Sequence, residues 1–503
     1  MNRIKTLSFF PVLLFTALSL AACSGSKNRC TSNCGTGTAT VSLTLVADTL
    51  PANPSILSFK VSILGITLTP TTGTAQTIHP SPSVVDLMRL QSDTAFLGAL
   101  TNVPSGSYTL QVSLSSPEIV FLNDTGSTIT ANGKMCSNGV VCSVTFTSVG
   151  TPTISSFTFT ATSGGQQGIE LDFNLKNAFS LSTGTLSVNF NPASPNPGVF
   201  TAFTLPRTIA NLGTNQLELI EDFTGVVSIS GNNVTITSNT RGALTATSTS
   251  ASFFDPSPDN AHCLAPANNF TSCVAKGQIA SVDAFLKSDG TLDLKEFEPL
   301  NQTQQDFVEG IVYAVNTPTQ FTIAVTDKVQ AATNSLISGL NTGDLLTVNI
   351  GTQPFLVDSK GLLIPPGSLG LFQGKSDTSA IHPGQTVAVH PTVFTAANGT
   401  TPAIVTVDTI TLRWSRLIAS AVSSTTQLLN VNAVPSYINP VSSTPFVVQL
   451  FTGTQGAPGV TNFDGVLDGS GIVVNPVSAR ALFLENIGNT ASPAFFAAKV
   501  RQH

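Results

Sequence analysis

The residues with the most chemistry in this 503-residue chain are seven cysteines, five histidines and a few short acidic runs. Six cysteines fall into sequence-local pairs: Cys30 with Cys34, Cys136 with Cys142, and Cys263 with Cys273. The seventh, Cys23, stands at the end of an apolar N-terminal run. Paired thiols at such spacings either close disulfides or hold a metal. Cys30 and Cys34 lack a second ligand pair nearby, and Cys136-Ser-Asn-Gly-Val-Val-Cys142 carries an Asn-Gly turn. All three pairs therefore read as disulfides, each worth roughly 2 to 3 kcal/mol through the entropy it removes from the unfolded chain. Bridges of this kind belong to an oxidising space outside the cytoplasm.

The histidines offer less. His79, His382 and His390 each precede a proline, which favours extended backbone, and nothing in the sequence brings them together. The patterns G-x-S-x-G, H-E-x-x-H and the phosphate-binding P-loop are absent. The densest polar run is Asp255-Pro-Ser-Pro-Asp259-Asn-Ala-His262-Cys263. Its Asp255, Asp259 and His262 have the donor types of a divalent metal site, but the prolines make it read as a surface loop tied down by Cys263 and Cys273. Asp289-Gly-Thr-Leu-Asp293 and Asp464-Gly-Val-Leu-Asp-Gly469 lack the ligand spacing and closing Glu of an EF-hand. They read as Asp-Gly hairpin turns. We expect no catalytic residue, no metal site and no cofactor.

Arg3 and Lys5 precede the apolar run Leu7 to Leu20, which is shorter than the ~20 residues needed to cross a bilayer core. The run closes on Leu20-Ala21-Ala22-Cys23 and turns polar at Ser24. This ending resembles the lipobox of bacterial lipoproteins. The resemblance implies a signal peptide over residues 1–22, cleavage between Ala22 and Cys23, and acyl chains, palmitate among them, on Cys23. It also implies an outer-membrane address, because Ser24 stands where retention in the inner membrane often requires Asp.

Only 10% of the residues are charged, against about 25% in an average soluble protein, and the net charge is −6. Loss of the signal removes two cations, so the mature chain is more acidic still. That excludes a phosphate-binding surface, so nucleic acid is not an expected partner. The expected partners are the membrane, through the lipid anchor, and a glycan or an envelope protein. One Trp and three Tyr are too few for the aromatic girdles of a membrane-spanning β-barrel.

The elements that must carry these residues are strands. In Tyr108-Thr-Leu110-Gln-Val112-Ser-Leu114 the apolar residues share one face, as in a half-buried strand. Clusters such as Val103-Pro-Ser-Gly106 separate successive strands, and thirty prolines leave room for at most a short helix or two, one near Val84 to Leu97. The fold class is all-β. Residues 23–38 form a polar tether, and 39–192 form a β-sandwich. Val41-Ser-Leu-Thr-Leu45, Val85-Asp-Leu-Met-Arg-Leu90, Pro104-Ser-Gly-Ser-Tyr108 and Ile169-Glu-Leu-Asp-Phe173 resemble an uncharacterised transthyretin-like or immunoglobulin-like domain of bacterial lipoproteins.

The second half repeats. Phe307-Val-Glu-Gly310-Ile-Val-Tyr-Ala-Val315 aligns with Trp414-Ser-Arg-Leu417-Ile-Ala-Ser-Ala-Val422 at a constant offset, with weaker echoes at Phe223 and at Val274-Ala-Lys-Gly277-Gln-Ile279. Each opening strand is followed by a Gly-led one, as in Gly343-Asp344 and Gly384-Gln385. This pattern resembles an uncharacterised domain found in tandem in exported bacterial proteins, with a small OB-like barrel. We expect units at 218–300, 303–413 and 414–503. Leu417 replaces the opening glycine, which predicts a different barrel corner in the last unit, and Trp414 is expected in the core at a unit junction. The function that follows is a non-catalytic, lipid-anchored envelope protein for adhesion, ligand binding or envelope organisation. An exported hydrolase and a surface-fibre subunit are the alternatives.

Overall fold

The structure is a computed structural model. It describes residues 37–502 except 49–54, 153, 155–156, 193–197, 207–211, 255–273, 302, 400, 433, 436, 439–445, 455, 458, 465–475 and 486–492. The calls at Ala22, Cys23, Cys30, Cys34, Asp255, Asp259, His262, Cys263 and Cys273 lie outside the described residues.

The chain is all-β: an N-terminal sandwich followed by three small barrels in tandem. In the sandwich, one sheet has the strand order Phe200–Leu205, Gln166–Phe173, Thr38–Ala47, Ala95–Pro104. The facing sheet is built on the long strand Ser55–Pro70, flanked by Glu118–Leu122 and Gly106–Leu114. Phe59, Phe173, Phe190 and Phe200 fill the space between, with Phe200 edge-on to Phe173 at 5.0 Å. Apolar residues alternating along each strand supply this core, as the pattern at Tyr108 to Leu114 predicted. The sandwich reaches beyond the expected boundary at 192, because Phe200–Leu205 pairs with Gln166–Phe173 and carries a ring the core needs. The helix expected near Val84 to Leu97 is reduced to a single 3-10 turn, Arg89–Gln91, between two strands.

The three barrels share one topology. The first runs Gln216–Ser230, Asn233–Ser238, Gly242–Phe254, Ile279–Lys287, Leu292–Asn301 and is closed, with the third strand parallel to the fifth. The second begins at Phe307–Thr317 and ends at Ala403–Arg413; the third begins at Ser415–Ser424 and ends at Phe495–Gln502. Both repeat the order with one short strand added, Leu356–Val357 and Asn462–Asp464, and both close through the same parallel pairing of the third and last strands.

A recurring turn sets the strand starts. Gln278, Gln385 and Asp344 each follow a glycine at positive φ (+83°, +95° and +95°), and Gln216 follows Asn215 at +68°. In every copy the side-chain oxygen accepts from the backbone N–H three residues earlier, at Ala275, His382, Asn341 and Gly213, over 2.7 to 2.8 Å. Gly277 N donates to Val227 O as Gly384 N donates to Val312 O. Gly277 therefore leads the fourth strand of the first barrel; it is not an opening strand, as its sequence echo implied.

Gly310 and Leu417 explain the different corner. A Cβ on Gly310 would lie 2.6 Å from the Ala324 carbonyl, so glycine lets the second strand pack close, and Gly310 pairs opposite Val325. In the third barrel the buried Leu417 stands at the equivalent position, 1% exposed, and among the described residues pairing with the second strand begins at Ser420.

Candidate functional site

The charged residues of this weakly charged chain gather where sandwich and barrels meet. Asp222 has a φ of +49°, in a bulge where the pairing of Gln216–Ser230 with Ile279–Lys287 shifts register between Ile220 and Phe223. Its carboxylate accepts from Ser281 Oγ at 2.6 Å and faces Arg480 at 3.4 Å, Lys360 at 3.6 Å and Arg413 at 3.8 Å. One acid of the first barrel thus meets cations from the second and third. Lys360 Nζ also donates to Asp283 at 2.9 Å.

The sandwich contributes the segment around its 3-10 turn. Asp86 accepts from Ser58 Oγ and from the N–H groups of Phe59 and Met88 at 2.8 to 3.0 Å, which fixes the entry to the turn. Arg89 then pairs with Glu309 of the second barrel at 3.0 Å. Arg501, from the last strand of the third barrel, donates to the carbonyls of Leu90 and Asp93 at 2.9 Å and to Thr94 Oγ1 at 2.8 Å. Arg241 of the first barrel donates to Thr94 O at 3.2 Å and to the carbonyls of Glu221 and Asp222 at 2.8 Å. A polar hollow of about 50 Å³ lies beside this centre, between Arg89, Asp93, Glu309 and Trp414. It is large enough for water.

The electrostatics follow from this packing. Burial alone would push the Asp222 carboxyl up, but Lys360, Arg480 and Arg413 hold it well below the usual carboxylate range. Burial would lower Lys360 and Arg480, yet Asp283 beside the lysine and Asp222 beside the arginine hold both above their ordinary values. Burial pushes Arg241 down to about 10, with Arg89 and Arg480 nearby adding to the effect. The guanidinium stays charged near neutrality, 4.7 Å over the Phe223 ring.

A cleft of about 390 Å³ opens beside the centre, between the end of the first barrel and the Thr386–Thr395 and Ala403–Arg413 strands of the second. Asn301, Gln305, Phe307, His390, Asp408, Thr409 and Thr411 are half-buried along its walls, and Glu298, Asp358, Ala388, Val389 and Arg413 are buried beneath. His390 Nδ1 lies 2.7 Å from Asp408 Oδ1, which also accepts from Thr409 Oγ1 at 3.1 Å. Asp358 is 3% exposed; its Oδ2 is held by Arg413, while its Oδ1 has no hydrogen-bond partner among the described residues.

Of the residues singled out by sequence, Cys136 and Cys142 form a disulfide. It joins the Lys134–Cys136 and Val141–Thr145 strands at the rim of the sandwich. His79 is buried, bonded to Leu97 O at 2.7 Å and Ser83 Oγ at 3.0 Å. His382 lies against the Phe483 ring, and burial lowers its pKa. His390 alone of these three lines the cleft. Asp289 accepts from Thr291 N and Oγ1 in a hairpin with Gly290 at φ +84°. Among the described residues no trio of His, Cys, Asp or Glu is placed to hold a metal. Trp414 is 8% exposed at the junction, with Arg480 5.6 Å over its ring.

Sequence reasoning missed the charge centre, although it left a trace. Val357-Asp358 beside Leu412-Arg413 and Phe463-Asp464 beside Val500-Arg501 are equivalent acid–arginine pairs in successive barrels. A repeat alignment carried to the final strands would have exposed them. No protein-family model matches the chain, and no curated protein matches it.

Proposed function

We propose that this is a non-catalytic, lipid-anchored protein of the bacterial cell envelope, held at the outer membrane through Cys23, whose sandwich and barrels form one rigid binding scaffold. The observation that carries the reading is the charge centre. Asp222, Lys360, Arg413, Arg480 and Arg89 are ion-paired between units, an arrangement that ties sandwich and barrels together and holds the charged groups away from solvent. The lipobox-like Leu20-Ala21-Ala22-Cys23 supports the anchor, and multiple acyl chains give stable attachment where one chain does not.

Fractionation of the expressing bacterium tests the anchor. The native chain is expected with the outer membrane and a Cys23→Ser variant in the soluble extracytoplasmic fraction; equal membrane retention of both would overturn it. The alternative of an exported hydrolase has the His390–Asp408 pair in its favour, since a carboxylate orients an imidazole base in many hydrolases. Against it, the neighbouring Thr409 hydroxyl donates to the carboxylate, and no hydroxyl is placed on the imidazole as a nucleophile among the described residues. Turnover of esters or polysaccharides that is lost in His390→Ala would favour the hydrolase.

A further inference from the structure

We propose that the cleft beside His390 and Asp408 binds a neutral sugar, as a single ring or a disaccharide. This rests on the binding-scaffold reading and names the ligand class of its open site. At about 390 Å³ the cleft lies within the roughly 300 to 1,000 Å³ of small-molecule sites.

Its chemistry is that of a polyol site. Both hydrogen bonds to the Asp408 carboxylate land on Oδ1, which leaves Oδ2 to the solvent on a side chain 45% exposed. His390 pairs with Asp408 through Nδ1, which leaves Nε2 as its second hydrogen-bonding atom. Gln305 adds an amide, which both donates and accepts. Beneath them, the carboxylate of Asp358 lines the cleft, and its Oδ1 is buried without a hydrogen-bond partner among the described residues. A ring of hydroxyls supplies donors at several angles for the Asp408 carboxylate and the Gln305 amide oxygen. The apolar faces of the same ring suit the Ala388 and Val389 floor and the half-buried ring of Phe307.

Competing ligands fit less well. An anion would meet Asp408 and Asp358, while the cation of the wall, Arg413, is already bound to Asp358. The amides, hydroxyls and phenyl ring match a ligand that alternates donors, acceptors and C–H faces.

Saturation-transfer NMR on the mature, unlipidated protein tests the proposal, with glucose, galactose, mannose, N-acetylglucosamine and their β-linked disaccharides as probes. At least one neutral sugar is expected to bind at millimolar concentration. Asp408→Ala and Gln305→Ala, both at half-exposed positions, are each expected to weaken binding about tenfold or more, the loss of one or two good polar contacts, with an unchanged melting temperature. Phe307→Ala should abolish transfer from aromatic protons. Three results would overturn the proposal: no neutral sugar binding to the folded protein, binding unaffected by Asp408→Ala and Gln305→Ala, or preference for a cationic amine such as methylammonium. Fractionation with Cys23→Ser reads the envelope assignment separately, so the failure of one is distinguishable from the failure of the other.

Discussion

Asp222→Asn tests whether the charge centre couples the units. Asparagine keeps the size of the side chain, accepts from Ser281, and tolerates the left-handed backbone at φ +49° about as well as aspartate. What it removes is one negative charge facing Lys360, Arg413 and Arg480, all within 3.8 Å. Breaking a buried ion pair by removing one partner costs about 3 to 5 kcal/mol, because the other charges stay buried without compensation. The shift in melting temperature then depends on how much chain melts together. Unfolding entropy near 60 °C is about 2.1 cal/mol/K per residue, so a unit spanning Thr38 to Gln502 has roughly 1 kcal/mol/K and moves by about 4 °C for about 4 kcal/mol. The first barrel melting alone, Gln216 to Asn301, would move by about 20 °C for the same loss.

Scanning calorimetry of the mature, unlipidated protein separates these outcomes. Coupling through the centre predicts one shared transition displaced by a few degrees, because Asp222 binds cations from two other barrels. A first-barrel transition dropping by about 20 °C, with the rest of the endotherm left in place, would refute the claim that these ion pairs join the units. An unchanged endotherm would refute it as well, since it would mean that the carboxylate contributes nothing at neutral pH. The sign with pH is also set. Asp222 has a depressed folded pKa, so its contribution is present above the unfolded pKa, near 3.9, and is lost as pH falls through the folded one.

Three further variants probe the fold. Replacing Cys136 and Cys142 together by serine opens a short loop and should destabilise the sandwich by about 2 kcal/mol on the loop-entropy model, read as a lower urea midpoint; an unchanged midpoint would show that the bridge adds no stability. Gly310→Ala places a methyl 2.6 Å from the Ala324 carbonyl and should destabilise the second barrel by ~1 to 3 kcal/mol, whereas Leu417→Ala, at the equivalent position of the third barrel, acts through a cavity and should cost about 2 to 5 kcal/mol. Denaturant titration of both variants checks this; a neutral Gly310→Ala would contradict the close-approach account.

Local patterns carried the fold into the sequence well. Alternation at Tyr108 to Leu114, turn clusters and the Phe307/Trp414 repeat all report interactions between residues close in the chain or repeated along it. Gly277 went astray for a physical reason. An opening-strand glycine and a turn glycine occur at similar spacings, and only the hydrogen bond from Ala275 N to the Gln278 side chain marks the second kind. The sites were legible only in part. His390 was named only with His79 and His382 as a histidine before a proline, and its partner Asp408 sits across a hairpin whose register the sequence leaves open. Beyond the repeated Asp358–Arg413 and Asp464–Arg501 pairs the charge centre left no local pattern, because its other pairs span different units: Arg89 with Glu309, Asp222 with Arg480, Lys360 with Asp283. A low charge content pointed to neutral surfaces and not to where the few charges would go. In the folded chain many of them lie inside.

Buried acids outnumber buried bases among the described residues, so not every buried carboxyl has a cation of its own. Glu218 is the clearest case. It shares a strand with Asp222; it is fully buried, and neither carboxylate oxygen has a hydrogen-bond partner among the described residues. Burial, reinforced by the nearby Asp464, raises its pKa well above the usual range despite Lys499. A raised folded pKa means that the folded protein retains a proton the unfolded chain releases, so stability falls as pH rises above about 4.3, by about 1.4 kcal/mol per pH unit until the folded pKa is reached. Glu218→Gln keeps the shape and removes the proton release. Relative to the native chain it should gain stability as pH rises above about 4.3 and level off once the folded Glu218 has ionised, whereas the deficit of Asp222→Asn is constant above the unfolded pKa of that group. Denaturant titrations at several pH values distinguish the two. If Glu218→Gln runs parallel to the native protein throughout, Glu218 is ionised, and the division of the strand into one protonated and one ion-paired carboxyl is wrong.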